Sequence, residues 1–255
     1  MQAQQKIAVA GATGRVGRHI VDVLGERGYD VAAMSRSSGV DVVTGAGLAE
    51  ALRGTDAVID VATSPDQEGA TEFFTASARN LQEVGKQAGV RRIVVVSIIG
   101  TDRFTAGYGA AKIAHEQATL SGPIPARVLR AAQFHEFVPE LIAWGRNGDV
   151  SYVPKMRTQV VAARTVAEAL VDMATDSEWK PQETIPEIAG PREENLVDIA
   201  TLFVARGGDP VRIEGVSDPN DPNSHLNESG GLLPGPHATL AGPTFEQWLD
   251  STTRG

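Results

Sequence analysis

Glycines at positions 11, 14 and 17 constrain this chain more than any other feature. They fall in Ile7-Ala8-Val9-Ala10-Gly11-Ala12-Thr13-Gly14-Arg15-Val16-Gly17-Arg18-His19-Ile20. The apolar run Ile7 to Ala10 reads as a buried parallel strand, and an apolar helical pattern begins at Val16, Ile20, Val21 and Leu24. A turn of this kind suits a phosphate. Gly11 permits a sharp reversal, Gly14 lets the backbone approach a pyrophosphate, and Gly17 lets the helix pack close to the strand. The N–H groups and dipole of the helix start then favour an anion. Because a strand precedes the turn and a helix follows it at the head of an α/β pattern, the motif predicts a bound dinucleotide.

The next loop selects the cofactor. The second strand reads Tyr29-Asp30-Val31-Ala32-Ala33-Met34 and runs into Ser35-Arg36-Ser37-Ser38. An NAD site places an acid at that strand end to accept hydrogen bonds from the ribose hydroxyls. Asp30 lies at the opposite end of the strand. A cation flanked by hydroxyls matches a 2′-phosphate instead, so Arg36 points to NADP(H).

The alternation of strands and helices implies an α/β fold, a doubly wound parallel sheet of Rossmann type. Strands are predicted near 6–10, 30–35, 39–43, 56–61, 92–98 and 126–131, with helices at 15–27, 48–52, 68–88 and 109–120. The right-handed crossover rule gives the order 3-2-1-4-5-6, with the ligand crevice between strands one and four. Residues 1–150 are read as the dinucleotide-binding domain, receiving a further strand near 158–163. Residues 151–255 are read as a smaller substrate-binding region rather than an independent domain. Helices are predicted at 164–174 and 196–206, an extended surface loop and candidate lid at 215–243, and a docking helix carrying Phe245, Trp248 and Leu249.

Composition narrows the function. With 255 residues and 42% hydrophobic content, the chain can bury a full α/β core. A net charge of −9 with no long basic run argues against a nucleic-acid partner. The absence of Cys excludes disulfides and thiolate metal sites. Strand one starts too early for a signal peptide, and no apolar run reaches the roughly 20 residues of a membrane span. A soluble cytoplasmic protein is expected, with no membrane partner. The histidines show no metal spacing, since neither His115-Glu116 nor His135-Glu136 is followed by a second His four residues after the first.

Tyr108 and Lys112 stand at i and i+4 in Tyr108-Gly109-Ala110-Ala111-Lys112, on one face of a predicted helix. Carbonyl reduction needs such a pair, because the alkoxide formed by hydride addition must receive a proton. A phenol with a pKa near 10 is a poor acid–base group at neutral pH until an ammonium stabilises its phenolate. Lys112 can do this and can also bind the nicotinamide ribose. Ser97, closing the fifth predicted strand, would hold the substrate oxygen.

These segments together resemble the atypical and extended short-chain dehydrogenases/reductases, in particular the NmrA-like NAD(P)H-binding group. The resemblance is carried by Gly-Ala-Thr-Gly-Arg-Val-Gly, by Ser97-Ile98-Ile99-Gly100-Thr101-Asp102-Arg103, and by Gly107-Tyr108 with Lys112 and Glu116. Leu129-Arg130-Ala131-Ala132-Gln133-Phe134-His135-Glu136-Phe137, Ile188-Ala189-Gly190-Pro191 and Phe245-Glu246-Gln247-Trp248-Leu249 extend it. It implies that Thr13, Gly14, Arg15 and Val16 hold the pyrophosphate, and that Ser35, Arg36, Ser37 and Ser38 hold the 2′-phosphate. It also implies that Ala62 and Thr63 line the nicotinamide ribose, that Ala131, Ala132, Gln133 and Phe134 approach the nicotinamide, and that Asn80 bridges backbone groups near the active site.

His135 or Glu136 is a weaker candidate for the substrate pocket, and Phe73-Phe74 reads chiefly as core. The expected activity is NADPH-dependent reduction of a small carbonyl, enone or quinone-like substrate. The alternatives are a non-catalytic NADP(H)-sensing protein and an NAD(P)-using isomerase or epimerase, because fold and family do not fix the reaction. A homodimer through the helices at 68–88 and 109–120 is left open by the sequence.

Overall fold

The computed structural model describes residues 5–180, 182–217 and 224–252. In chain order the elements begin β1 (Lys6–Ala10), α1 (Arg15–Glu26), β2 (Asp30–Met34), α2 (Leu48–Ala51), β3 (Ala57–Asp60), α3 (Ala70–Ala88) and β4 (Arg92–Ile98). Next come α4 (Gly107–Leu120), β5 (Ala126–Ala131), α5 (Val138–Trp144), β6 (Arg146–Asn147), β7 (Val150–Pro154), β8 (Arg157–Thr158) and α6 (Ala163–Thr175). The remainder are β9 (Glu187–Ala189), β10 (Glu194–Asn195), α7 (Leu196–Gly207), β11 (Arg212–Val216), α8 (Ser224–Ser229), β12 (Thr239–Leu240) and α9 (Phe245–Thr252).

Two compact units interleave along the chain. The first comprises residues 1–97, 107–130 and 166–185, and the second residues 98–106, 131–165 and 186–255.

The first unit is a Rossmann-type α/β layer structure. Its strands run β5-β4-β3-β1-β2, with β1 paired in parallel to both β2 and β3. Ala8, Ala10 and Val58 are fully enclosed, and Leu48, Leu52, Leu81 and Ile93 pack around them. Burying an aliphatic side chain of this size contributes about 1.5–3 kcal/mol. A buried glutamine sets α4 against α3. Gln82 donates to the carbonyls of Thr119 (2.7 Å) and Ile124 (3.1 Å), and its Oε1 accepts the Ile124 N–H (2.7 Å). That one side chain fixes the C-terminal end of α4 and the approach to β5.

The third predicted strand, residues 39–43, is a loop. Asp41 Oδ1 accepts the N–H groups of Val43 (2.8 Å) and Thr44 (3.0 Å), an Asx turn that competes with extended backbone. Gly45 and Gly47 then take left-handed φ values of 79° and 70°. Local side-chain bonding outweighs the β-propensity of Val40, Val42 and Val43, and the strand order loses its outermost member.

In the second unit, Val138, Ile142, Val153, Val160, Leu196 and Phe245 form the centre of the core. β11 pairs in parallel with β7, and β12 with β9. The strand expected at 158–163 is reduced to β8, which pairs antiparallel with β10, and a single parallel bridge between Phe134 and Val161. Backbone at Ala163 is already helical, with its N–H received by the Glu136 carboxylate at 3.0 and 3.2 Å. The loop expected at 215–243 contains the end of β11, α8 and β12, and residues 218–223 of it lie outside the described residues. The C-terminal helix α9 docks by Phe245 and Leu249, both buried.

Candidate functional site

The glycine turn joins β1 to α1. Gly11 has φ +80°, and a Cβ there would lie 2.8 Å from the Ala62 backbone nitrogen just past β3. Gly11 therefore meets two demands at once, a left-handed conformation and close approach of a neighbouring strand end. Gly17 answers a third, since its Cβ would stand 2.0 Å from the Gly11 carbonyl oxygen. The Gly11 and Ala12 N–H groups donate to the Met34 carbonyl at 3.1 Å, tying the turn to the end of β2. Gly14 is the exposed N-cap of α1, with no side-chain cap and no acid in the first turn. Thr13 is also exposed, Arg15 half-buried, and Val16 anchors the helix in the core. An uncapped helix start without local negative charge, with glycine at 11 and 14, fits a dinucleotide pyrophosphate.

The loop after β2 is equally ordered. Ser35 caps a 3-10 turn at Arg36–Ser38, and Ser38 Oγ donates to the Ser35 carbonyl at 2.9 Å. Ser35 and Ser37 hydroxyls share a hydrogen bond of 2.8 Å. The serines therefore build the turn, while Arg36 is exposed and makes no ion pair among the described residues. Asp30 opens β2, at the far end from this loop. Asn80 on α3 donates to the carbonyls of Val42 (2.9 Å) and Val43 (2.7 Å) and so bridges backbone in the loop that replaces the expected strand.

Ala62 and Thr63 follow β3 after Val61. Thr63 Oγ1 is 2.8 Å from the Tyr108 hydroxyl, which stands in the first turn of α4. Phe74 lies edge-on beneath the phenol with ring centroids 5.6 Å apart. Burial pushes the phenol above its usual range, opposed by the hydrogen bond to Thr63 and by the charge of Arg15. Tyr108 is thereby held protonated beside the residue that follows Ala62, and Ala62 is the one that meets Gly11.

Lys112 takes a different path. Its ammonium donates to the Val96 carbonyl on β4 (2.8 Å) and to His115 Nδ1 (2.9 Å), and lies 4.4 Å from the centre of the Phe74 ring. His115 Nε2 is 3.1 Å from Asp60 Oδ2 at the end of β3, and its ring stacks on Phe74 at 4.8 Å. Burial lowers the lysine to about 8 even though Asp60 and Glu116 oppose the shift. His115 is lowered too, by burial and then by the Lys112 charge, against the hydrogen bond to Asp60. Next along α4, Glu116 binds Arg130 of β5 through two oxygens, at 3.0 and 2.8 Å. The phenol and the ammonium thus share a helix face but not a hydrogen bond. Ser97 is buried at 2% exposure, its hydroxyl enclosed and without a hydrogen-bond partner among the described residues.

Sequence reasoning missed Asp60 and dismissed His115 as a failed zinc motif. The available signal was weak. A charged residue closing an otherwise apolar strand, and a histidine three residues beyond a lysine on a helix, become partners only when β3 and α4 pack together.

Within the second unit, Ala131 and Ala132 are buried, and the Ala132 N–H donates to the Ile188 carbonyl at 2.9 Å. Gln133 Oε1 accepts from the Thr158 hydroxyl at 2.6 Å, and Phe134 lines an apolar cavity of about 50 Å³ with Phe137, Leu141 and Met156. His135 is fully buried, with its Nε2 3.1 Å from the Pro243 carbonyl oxygen and its ring against Phe245 and Trp248. Burial lowers it to about 4. With the Glu136 carboxylate accepting the Ala163 N–H at the start of α6, both weaker candidates have structural work.

Residues 11–120 match the sequence model of a family described as NAD(P)H-binding. That match supports a pyridine nucleotide as the cofactor class, in agreement with the turn at residues 11–17. A curated relative, the ceramide reductase of Caulobacter vibrioides (strain NA1000 / CB15N), is 31% identical over 145 residues, which is 50% of this chain and 46% of that protein. The match thus spans about half the length of that relative. Among solved structures, MoeE5 in complex with UDP-glucose and NAD superposes with a TM-score of 0.71 at 18% identity, over 98% of this chain and 99% of that one. An NADPH-dependent quinone oxidoreductase of Escherichia coli, complexed with NADPH, gives 0.66 at 17% identity, over 97% and 99%. These structures share the Rossmann fold with this chain. Among the described residues, no helix is long and apolar enough to cross a membrane.

Proposed function

We propose that the chain is an NADPH-dependent reductase of a small carbonyl, enone or quinone-like substrate, with Tyr108 as the proton donor. The observation that carries this reading is the 2.8 Å contact between Tyr108 and Thr63, next to the strand end that packs on the glycine turn. A protonated phenol at that position is what reduction of a carbonyl demands. The names of the curated relative and of the quinone oxidoreductase are consistent with reduction.

Bound there, the nicotinamide supplies the hydride. The protein residues do the rest. Exposed Gly14 and the start of α1 seat the pyrophosphate, and Arg36 meets the 2′-phosphate with a planar cation. Thr63 aims the phenol. Tyr108 gives its proton to the oxygen that becomes negative as hydride arrives, and its raised pKa keeps that proton in place until then. Lys112, one turn further along α4, supplies positive charge that stabilises the phenolate left behind.

A second reading, an NADP(H) sensor without turnover, is favoured by the commitment of Lys112 to Val96 and His115 and by the enclosed hydroxyl of Ser97. NADPH oxidation followed by absorbance against quinones, enones, aldehydes and ketones separates the two. Turnover that collapses in Tyr108→Phe, with NADPH binding retained, supports the reductase. Tight NADPH binding with no turnover on any class supports the sensor.

A further inference from the structure

We propose that Asp60 and His115 are positioning residues that hold Lys112 as an ammonium in a single orientation behind Tyr108. This rests on the reading of Lys112 as the phenol's electrostatic partner, but its structural part stands separately.

The argument begins with what each group can donate. An ammonium has three donors and no acceptor, so His115 Nδ1, 2.9 Å away, must accept. A neutral imidazole with an accepting Nδ1 carries its proton on Nε2, which then donates to Asp60 Oδ2 at 3.1 Å. Asp60 Oδ1 is itself fixed by the Ala62 N–H at 3.0 Å. The chain Ala62–Asp60–His115–Lys112–Val96 therefore has one consistent set of donors and acceptors, and it runs from the strand end beside the glycine turn into α4. His115 and Asp60 side chains are 1% and 2% exposed, so water does not compete.

Charge gives the same assignment. A lysine this enclosed loses its proton readily unless something opposes burial. The groups facing Lys112 are His115 and Glu116 on its own helix and Asp60 from β3, while Arg130 of β5 is occupied with Glu116. Asp60 and Glu116 oppose desolvation and leave the lysine titrating at about 8. With Glu116 bound through both oxygens to Arg130, Asp60 is the carboxylate linked to the ammonium through the imidazole. His115 cannot itself take a second proton without placing two cations together, which agrees with its lowered pKa.

The test uses the full chain. ¹⁵N-histidine labelling reports the tautomer directly, and ¹³C-lysine labelling gives a titration in which Lys112 is the signal lost in Lys112→Met. Wild type should show His115 protonated at Nε2 and Lys112 titrating near 8. Asp60→Asn should lower the lysine midpoint by about one pH unit or more through loss of the neighbouring charge. His115→Gln, whose amide can accept from the ammonium and donate to the carboxylate, should keep the midpoint. His115→Leu should lower it. Should His115→Leu fail to melt cooperatively, the wild-type tautomer and the Asp60→Asn titration still decide. A proton on Nδ1, or an unchanged midpoint in Asp60→Asn, overturns the proposal.

In kinetics, the alkaline limb of kcat should move down in Asp60→Asn by the same interval as the lysine. If Tyr108→Phe turns over like wild type, the proton-donor reading fails, while tautomer and titration still report on the positioning chain.

Discussion

The turn at residues 11–17 takes its shape from backbone, whereas the cluster on α4 takes its own from side chains drawn out of β3, α3 and β5. Both lie in the first unit, yet they respond to different physics. The turn depends on the absence of Cβ atoms at Gly11 and Gly17 and on an uncapped helix start. It contains no histidine and no carboxylate. The α4 cluster depends on enclosed charge, with Lys112 at about 8 and the Tyr108 phenol raised by burial. A turn made of backbone is robust to pH and intolerant of a single methyl group. A side-chain cluster is the reverse.

The widest separation between the two regions is expected from Tyr108→Phe. It should reduce kcat by about 10²-fold or more while leaving the dissociation constant for NADPH within a few-fold, measured by turnover and by fluorescence titration. Equal losses in both would erase the distinction. Gly17→Ala should do the opposite, because its Cβ would sit 2.0 Å from a carbonyl oxygen. We expect about 3 kcal/mol of destabilisation or more in urea unfolding, with cofactor binding lost alongside.

The pH prediction follows from the lysine. Below pH 8 Lys112 is protonated in both folded and unfolded chains, and the burial penalty is complete. Between about 8 and the usual 10.5 the unfolded chain holds a proton that the folded one lacks, so this group makes stability rise with pH. The slope is at most about 1.4 kcal/mol per pH unit, and Lys112→Met should remove it from the difference between the two stability profiles. NADPH affinity should stay flat over the same range, since the turn has no titrating partner.

Smaller effects sharpen the picture at its edges. Arg36→Ala should weaken NADPH about tenfold and leave NADH unchanged, as expected for one charge-assisted contact to a 2′-phosphate. Equal weakening of both would move the cofactor preference elsewhere. Asn80→Ala should cost about 1–2 kcal/mol in thermal unfolding, because two carbonyls of the 40–45 loop lose their donor.

The failed third strand and the α4 cluster fail to be legible for the same reason. Residues 39–43 have strand-like composition, but Asp41 turns the chain locally and Asn80, far along in sequence, holds the turned carbonyls. Lys112 has the right spacing from Tyr108, but Val96 and His115 claim its ammonium. The apparent loop at 215–243 likewise hides α8 and β12, whose short spans carry little periodic signal.

What the amino-acid sequence determined by itself is everything set by near neighbours. The glycine spacing specified the turn. Hydrophobic period placed α1, α3, α4, α6 and α7 to within a residue or two. Tertiary structure alone decided which partner each buried polar group found. An ammonium, an imidazole and a carboxylate brought together from α4 and β3 settle their protons by burial and distance, and neither quantity exists until the strands and helices have packed.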